Sequence, residues 1–155
     1  MVCSLITLIP DDEDFNKVCH YLESTIVKEN LSINGGTLNY HSLTYNSDVL
    51  LVDVVENIII GYASLVKIQN TCYVYQIALK KEFQQKGIGT GLIKRAIDIA
   101  EDNGLDLTAN VMDYNTNSKK MFTRLCFEKI GYTKENDGFY KYYQRRKTND
   151  KKLSK

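Results

Sequence analysis

The apolar positions of the chain repeat at helical spacing near its start. Between residues 11 and 29 they fall at i, i+3, i+4, i+7 and i+11, the spacing of one helical face; they are Phe15, Val18, Cys19, Leu22 and Ile26. The acids at 11–14 precede this face and suit a helix N-terminus, where the macrodipole favours negative charge. The pattern predicts a helix followed by a polar loop over residues 31–46.

The apolar spacing then changes to that of strands. Three β-rich runs follow one another, "DVLLVDVV", "IIIGYASLVKI" and "TCYVYQIALK". They are separated only by Glu56-Asn57 and by Gln69-Asn70, and two-residue turns of this kind join antiparallel neighbours. The runs therefore predict an antiparallel meander.

Helical spacing returns after residue 87, where one face carries Ile88, Leu92, Ile93, Ala96, Ile97 and Ala100. This helix is expected to end at a C-cap formed by Asn103-Gly104. A strand "LDLTANVM", a short helix "TNSKKMFTRL" and a hairpin around 136–138 complete the chain. The order is α-βββ-α-β-α-ββ, and the long helix allows the strands on either side of it to run parallel. We predict a single-domain α/β protein with a mixed sheet.

Composition places the chain among ordinary globular domains. Its 155 residues are 43% hydrophobic and 25% charged, which suits one domain with its own core. The net charge of +1 argues against a nucleic-acid or membrane surface, except in a basic tail. We predict one domain over 1–144 and a flexible basic C-terminal tail over 145–155. No signal peptide or membrane span is expected.

The cysteines and histidines indicate no metal site. Four cysteines show no C-x-x-C spacing, and the chain has two histidines. Free thiols in a reducing cytoplasm are therefore expected.

Three alternate glycines, Gly87, Gly89 and Gly91, stand where the long helix begins, in "FQQKGIGTGLIKRA". The dinucleotide pattern G-x-G-x-x-G fails because Leu92 and Lys94 occupy the positions of its last glycine. The P-loop pattern is absent as well. Two interpretations remain open: the glycines serve tight turning and packing, or they expose helix N-terminal amides to a pyrophosphate.

The segment "ALKKEFQQKGIGTGLIKRAIDIA" resembles the acyl-CoA binding motif R/Q-x-x-G-x-G/A of the GNAT superfamily of N-acetyltransferases. Gln84 matches its first position, and Gly87 and Gly89 match the two small ones. "IIIGYASL" and "YVYQIALKKEF" resemble the third and fourth strands of that family. "VMDYNTNSKKMFTRLCFEKIGY" is similar to its later motif, N-x-x-A-x-x-x-Y-x-x-x-G-F. The resemblance covers residues 48–144.

The resemblance implies a cofactor site in a splay between the fourth and fifth strands. The acetyl-CoA arm would lie along Ile77, Ala78 and Leu79. The pyrophosphate would be held by Gln84, Gln85, Lys86, Gly87, Ile88 and Gly89, with Thr90 joining through its amide or hydroxyl. Asn115 would contact the arm, and a helix N-cap at Asn115 is compatible with that contact.

The later motif departs from the family at its tyrosine. Counted from Asn115, the tyrosine falls on Phe122 and the Gly-Phe pair on Cys126-Phe127. An alternative register aligns Phe127 with the tyrosine and Gly131-Tyr132 with Gly-Phe. In the first register Phe122 would lie near the thioester sulfur, or it would be a core residue.

The catalytic groups therefore stay open. Phenylalanine cannot protonate a departing thiolate, so the weak candidates for an acid are Tyr114, Tyr140 and Tyr142. Where family members often carry a glutamate base on the fourth strand, this chain has Gln76, which leaves Asp113 as a weak candidate.

The resemblance implies a cytoplasmic, acetyl-CoA-dependent N-acetyltransferase that works by direct attack of a primary amine. The amine would belong to a small molecule or to a peptide or protein N-terminus. A catalytically weak or inactive acyl-CoA binding module is the alternative. An RNA-directed acetyltransferase steered by the basic tail is a third hypothesis, and a homodimer is left open.

Overall fold

The structure, a computed structural model, describes residues 3–29, 43, 47–112, 115–133 and 139–144. Within these ranges, seven strands follow the order β1-β2-β3-β4-β5-β7-β6. The elements along the chain are β1 (Ser4–Leu8), α1 (Phe15–Leu22), a π-helical turn (Glu23–Val27), β2 (Val49–Val55), β3 (Ile58–Ile68), β4 (Thr71–Leu79), a 3-10 turn (Lys81–Phe83), α2 (Ile88–Asp102), β5 (Asp106–Met112), α3 (Thr116–Arg124), β6 (Glu128–Thr133) and β7 (Phe139–Gln144).

The predicted mixed α/β class is confirmed, with one additional strand at the start. Strand β1 pairs antiparallel with β2, from Ser4 opposite Val54 to Leu8 opposite Leu50. Its side chains are mostly exposed, so no buried face marked it in the sequence. Backbone pairing defines this strand, and the predicted order lacked it for that reason. The splay between β4 and β5 stays a prediction.

The chain divides into two compact units, of which the first contains residues 1–66 and 74–93. Its core forms where α1 and the π-helical turn pack on β2 and β3. The predicted helical face is confirmed, because Phe15, Cys19, Leu22 and Ile26 are all buried. Each buried side chain of this size stabilises the fold by about 1.5–3 kcal/mol.

The predicted turn between β2 and β3 is also confirmed. Glu56 and Asn57 adopt left-handed φ values of 49° and 65°, as a two-residue hairpin turn requires. A β-bulge follows, since Asp53 pairs with Gly61 whereas Val54 pairs with Ile59.

The second unit contains residues 67–73 and 94–155. The predicted C-cap of α2 is present: Gly104 has a φ of 65°, and the Leu105 amide donates to the Ala100 carbonyl at 2.8 Å. Both features belong to a Schellman motif. Strand β7 pairs antiparallel with β5 and with β6, as expected for the closing hairpin. The hairpin turn at 136–138, the basic tail and the polar loop other than Leu43 lie outside the described residues.

Candidate functional site

The glycine segment joins the end of β4 to the start of α2. Gln85 and Gly87 both have left-handed backbones, with φ values of 60° and 84°. Glycine adopts such a φ without steric cost, whereas Gln85 does not. The Gly91 amide donates to the Gly87 carbonyl at 3.2 Å, which is the first hydrogen bond of the helix. The amides of 88–90 therefore lack intrahelical acceptors and are available to an anion.

Gln84 ties this loop to the strand before it. Its Nε2 donates to the carbonyl oxygen of Leu79 at 3.2 Å. The first residue of the matched motif thus has a structural contact within the first unit. It holds the loop close to the end of β4, along which the cofactor arm is expected.

Gly61 of β3 lies close to the last two residues of β4. A Cβ atom at this position would overlap the Leu79 side chain and would lie 3.2 Å from the Ala78 carbonyl oxygen. The Lys80 amide also donates to the Ile60 carbonyl at 2.8 Å. Sequence analysis missed this role, although a glycine within a strand pattern is the usual signal of a bulge or a close approach.

Side-chain exposure around the loop decides which groups can reach a ligand. Lys86 is exposed, with its Nζ 6.0 Å from the centre of the Phe83 ring. Ile88 is buried, so only its amide is available to an anion. Gln85 and Gly87 are exposed. The other predicted contacts in this part of the first unit are half-buried: Ile77, Ala78, Leu79, Gln84, Gly89 and Thr90.

Beside the predicted arm segment, β3 and β4 share a polar contact. The buried Tyr62 hydroxyl donates to Gln76 Oε1 at 2.9 Å. Burial raises the pKa of the Tyr75 phenol, and a hydrogen bond from the Gln76 side chain opposes part of that shift. The position where family members often carry a glutamate is therefore a hydrogen-bonded amide.

Asn115, in the second unit, caps α3. Its Oδ1 accepts a hydrogen bond from the Ser118 amide at 3.1 Å. The N-cap interpretation is confirmed, and the cofactor contact of Asn115 stays a prediction.

Phe122 is a core residue of the second unit. Its side chain is 1% exposed. The ring packs edge-on against Phe127 at a centroid distance of 5.0 Å and stacks with Tyr142 at 5.6 Å. The expected contact of Phe122 with the cofactor stays a prediction.

Cys126 occupies the position of the family's glycine in the first register. Its φ is 65°, and the Phe127 amide donates to the Phe122 carbonyl at 3.0 Å, which closes a Schellman motif. This is the conformation that favours glycine, whereas Gly131 of the alternative register has no left-handed φ. The backbone thus favours the first register. The Cys126 side chain is exposed, and its thiol is free, as expected from the sequence.

The candidate catalytic groups are only partly described. Asp113 and Tyr114 lie outside the described residues, as does the side chain of Tyr140. Tyr142 is buried against Phe122. Within the described ranges, no group of three or more His, Cys, Asp or Glu residues is placed to hold a metal ion. The helices in the same ranges include none with the length and apolarity needed to cross a membrane.

Solved structures share this fold. The ribosomal-protein-S18-alanine N-acetyltransferase from Escherichia coli is 14% identical, with 96% of this chain and 98% of that chain covered and a TM-score of 0.66. Ard1 from Thermoplasma volcanium is 14% identical, with 96% and 100% covered and a TM-score of 0.73. At these identities the likeness shows the fold alone.

A third structure contains a ligand. It is a protein from Bacillus anthracis str. Ames described as a streptothricin acetyltransferase and solved in complex with acetyl coenzyme A. It is 19% identical, with 64% of this chain and 63% of that chain covered and a TM-score of 0.59. The chain thus spans less than two thirds of this relative's length. Among curated protein sequences, none matches the chain significantly.

The family assignment follows from the sequence profile of the Acetyltransferase (GNAT) family, which matches residues 12–127. The match includes α1, the meander, the glycine loop and α3. This chain therefore belongs to the GNAT acetyltransferase family.

Proposed function

We propose that this protein is an N-acetyltransferase that transfers an acetyl group from acetyl-CoA to a primary amine. The observation that carries the proposal is the glycine loop, whose left-handed Gly87 leads directly into the free amides of α2. The family and the acetyl-CoA complex of a structural relative support the same cosubstrate. The cytoplasmic location predicted from the cysteines is part of the proposal.

The loop has the positive potential and the open space that a bound pyrophosphate needs. A Cβ at Gly87 would meet no atom within 4 Å, so the side of the loop at this position is open. We assign the phosphate contacts to the segment Gln84–Thr90, with Lys86 adding positive potential. Each hydrogen bond from an amide to a charged oxygen contributes about 1.5–3 kcal/mol.

The cofactor arm is assigned to the backbone of Ile77, Ala78 and Leu79 at the end of β4. Gln84 ties the loop to this end through its hydrogen bond to the Leu79 carbonyl, and the lack of a side chain at Gly61 leaves room for Leu79. Asn115 and Phe122 are retained as proposed contacts of the arm on the family resemblance alone.

The proposed reaction is a direct attack. The neutral amine nitrogen attacks the thioester carbonyl carbon, the C–S bond breaks, and its electron pair leaves with the CoA thiolate. The nitrogen gives its extra proton to water, which leaves a neutral amide. Backbone amides of β4 would polarise the carbonyl oxygen, and positioning would supply most of the rate. A thiol has a pKa near 8.5, so the thiolate departs at neutral pH with little help from an acid. This suits a site with phenylalanine at position 122.

The preferred class of acceptor amine follows from the substrate of a structural relative. One structural relative is named for acting on the alanine of ribosomal protein S18, which is a protein substrate. A peptide or protein N-terminus is therefore our preferred acceptor over a free small amine.

An acyl-CoA binding module without turnover is the second candidate. The observations that favour it are the burial of Phe122 and the engagement of Gln76 by Tyr62. Neither residue can act as a general acid or a general base.

Release of free CoA, measured across a panel of amines and N-terminal peptides, separates the two candidates. We expect amine-dependent release by the native protein. Gly89→Glu should lose it, because the new carboxylate faces the phosphates, while Gly131→Glu on β6 should retain it. Binding of acetyl-CoA without release for any amine would establish the module and contradict the transferase.

A further inference from the structure

Strand β1 forms one edge of the sheet. In the strand order of the described residues its one neighbour is β2, so one side of its backbone is not paired with a strand. An edge strand presents a row of N–H and C=O groups to which another strand can pair. Proteins usually protect such an edge with charged side chains, with proline or with a β-bulge. The two edges of this sheet differ in that protection.

The opposite edge, β6, is protected. It begins with the charged residues Glu128 and Lys129, which are both exposed. A register shift between Lys129 and Gly131 also interrupts its pairing with β7. Pairing at this edge would bring a further strand against these charges and across the bulge. Strand β6 is therefore a poor site for another strand, although Ile130 is 50% exposed.

Strand β1 lacks these protective features. Its sequence, SLITL, contains no charge and no proline, and its pairing with β2 runs in unbroken register from Ser4 to Leu8. Successive side chains of a strand point to opposite faces, so Leu5 and Ile6 place one apolar side chain on each face. These two side chains are 39% and 44% exposed. A regular, uncharged and apolar edge strand of this kind favours pairing with another chain.

A second copy of β1 fits this edge. A strand pairs antiparallel with its own copy around a two-fold axis, which gives a closed dimer with one self-complementary surface. Hydrogen-bonded and non-hydrogen-bonded pairs alternate along an antiparallel ladder. Because symmetry-related pairs must be of the same kind, one residue has to face its own copy. An axis at Ile6 pairs all five residues of β1.

The charges that follow β1 favour the antiparallel arrangement. All four residues at 11–14 are acidic. Parallel pairing would place the two sets of acids side by side, at a strand spacing of about 5 Å. Antiparallel pairing places them at opposite ends of the paired strands, at least the length of β1 or about 16 Å apart. This separation exceeds the Debye length of about 10 Å at about 0.1 M salt, so the repulsion is largely screened.

We propose that two copies of this protein associate through β1, which pairs antiparallel with the β1 of the second copy. Ile6 packs against Ile6 of the second copy, and Leu5 lies opposite Thr7 of the second copy. A strand of five residues buries a small area, so the association is weak and its affinity is micromolar. The dimer is independent of the proposed transferase function.

Sedimentation velocity over a series of protein concentrations tests the association. The native protein should change from the mass of one chain to that of two as its concentration rises through the micromolar range. Ile6→Lys places two like charges opposite each other at the axis and removes the apolar contact. It should raise the dimer dissociation constant by about tenfold or more. Ile130→Lys makes the same change on β6 and should leave the dissociation constant unchanged.

Disulfide cross-linking tests the register, and it does not require the lysine variant to fold. The background is Cys3→Ser with Cys126→Ser, which removes the two exposed thiols. In this background Ile6→Cys should form an intermolecular disulfide on mild oxidation. Directly opposed residues of an antiparallel pair have Cα atoms about 4.5–5.5 Å apart, within the range that a disulfide spans. Ile130→Cys in the same background should remain monomeric.

A native protein that stays monomeric up to submillimolar concentration overturns the proposal. A dimer that persists in Ile6→Lys, with circular dichroism showing an intact fold, overturns it as well, because the interface would then lie elsewhere. Cross-linking that is absent from Ile6→Cys, or equal in the two cysteine variants, contradicts the pairing of β1 around Ile6.

Discussion

The rings of Phe122 and Tyr142 stack with their centroids 5.6 Å apart and their planes inclined by 27°. The contact joins α3 to β7 within the second unit. The Phe127 ring packs edge-on against the Phe122 ring, with the two ring centroids 5.0 Å apart. The residue that stands where the family has its tyrosine is thereby part of an aromatic cluster.

This packing predicts the effect of restoring the tyrosine. Phe122→Tyr places a hydroxyl among aromatic carbons, and an unpaired buried hydroxyl costs about 1–3 kcal/mol. Urea unfolding should show this loss, with Phe122→Leu as a control that removes the ring without adding a polar atom. Retained stability together with a higher rate of CoA release would instead mean that the hydroxyl reaches the cofactor.

Cys126 offers a stabilising substitution. A non-glycine residue in the left-handed region costs roughly 1–2 kcal/mol. Glycine removes this cost, but part of the gain is offset because the unfolded chain with glycine has more conformational entropy. Cys126→Gly should therefore raise the free energy of unfolding by up to about 1 kcal/mol. Cys126→Ala removes the thiol but keeps the Cβ, so it should bring no gain. Equal stability of the two variants would show that a Cβ at this position causes no backbone strain.

Thr108 of β5 carries a buried hydroxyl without a hydrogen-bond partner, the one such side-chain atom found in the described part of the chain. Thr108→Val replaces it with a methyl group of similar shape. We expect the variant to gain about 1 kcal/mol in unfolding free energy, because the desolvation penalty of the hydroxyl is removed. Thr108→Ser keeps the hydroxyl and should not gain. A loss of stability in the valine variant would indicate that the hydroxyl is hydrogen-bonded after all.

Asp53 of β2 makes stability depend on pH. Burial raises the pKa of its carboxyl above the ordinary 3.8. Between 3.8 and the raised value, the unfolded chain has lost this proton while the folded chain keeps it, so rising pH favours unfolding. The contribution is thus present below pH 3.8 and is lost as the pH rises through the folded pKa.

Asp53→Asn removes that dependence. The unfolding free energy of the variant minus that of the native protein should increase as the pH rises from 3.8 and then become constant. Thermal unfolding of both proteins over a pH series measures this difference. A difference that decreases with pH would show that the carboxylate is stabilised in the fold.

Sequence patterns predicted the elements whose local signals are strong. The face of α1 repeats at helical spacing, Glu56-Asn57 is a turn dipeptide between two β-rich runs, and Gly104 ends α2 as a C-cap glycine does. In each case a single segment of chain contains the whole signal. The glycine loop was found in the same way.

The features that sequence analysis missed depend on distant partners. Strand β1 exists because β2 pairs with it, and its own side chains show no buried face. Gly61 matters only because Leu79 lies over it, and Gln76 is oriented by Tyr62 on the neighbouring strand. A local pattern, such as a glycine within a strand, can signal a close approach, but it does not say which distant residue is the partner. The aromatic packing of Phe122 could not be predicted from its own segment, because it depends on the strand pairing that positions β7.

The central claim is that the loop from Gln84 to Thr90 binds acetyl-CoA through its backbone amides, and thermal unfolding with added acetyl-CoA tests it most directly. A ligand that binds only the folded state stabilises it by RT ln(1 + [L]/Kd), about 2.7 kcal/mol at a hundredfold excess over Kd. The native protein and Gly131→Glu should show the resulting rise in Tm, and Gly89→Glu should show none while keeping its unliganded Tm. An undiminished rise in Gly89→Glu, or no rise in the native protein, would contradict the account.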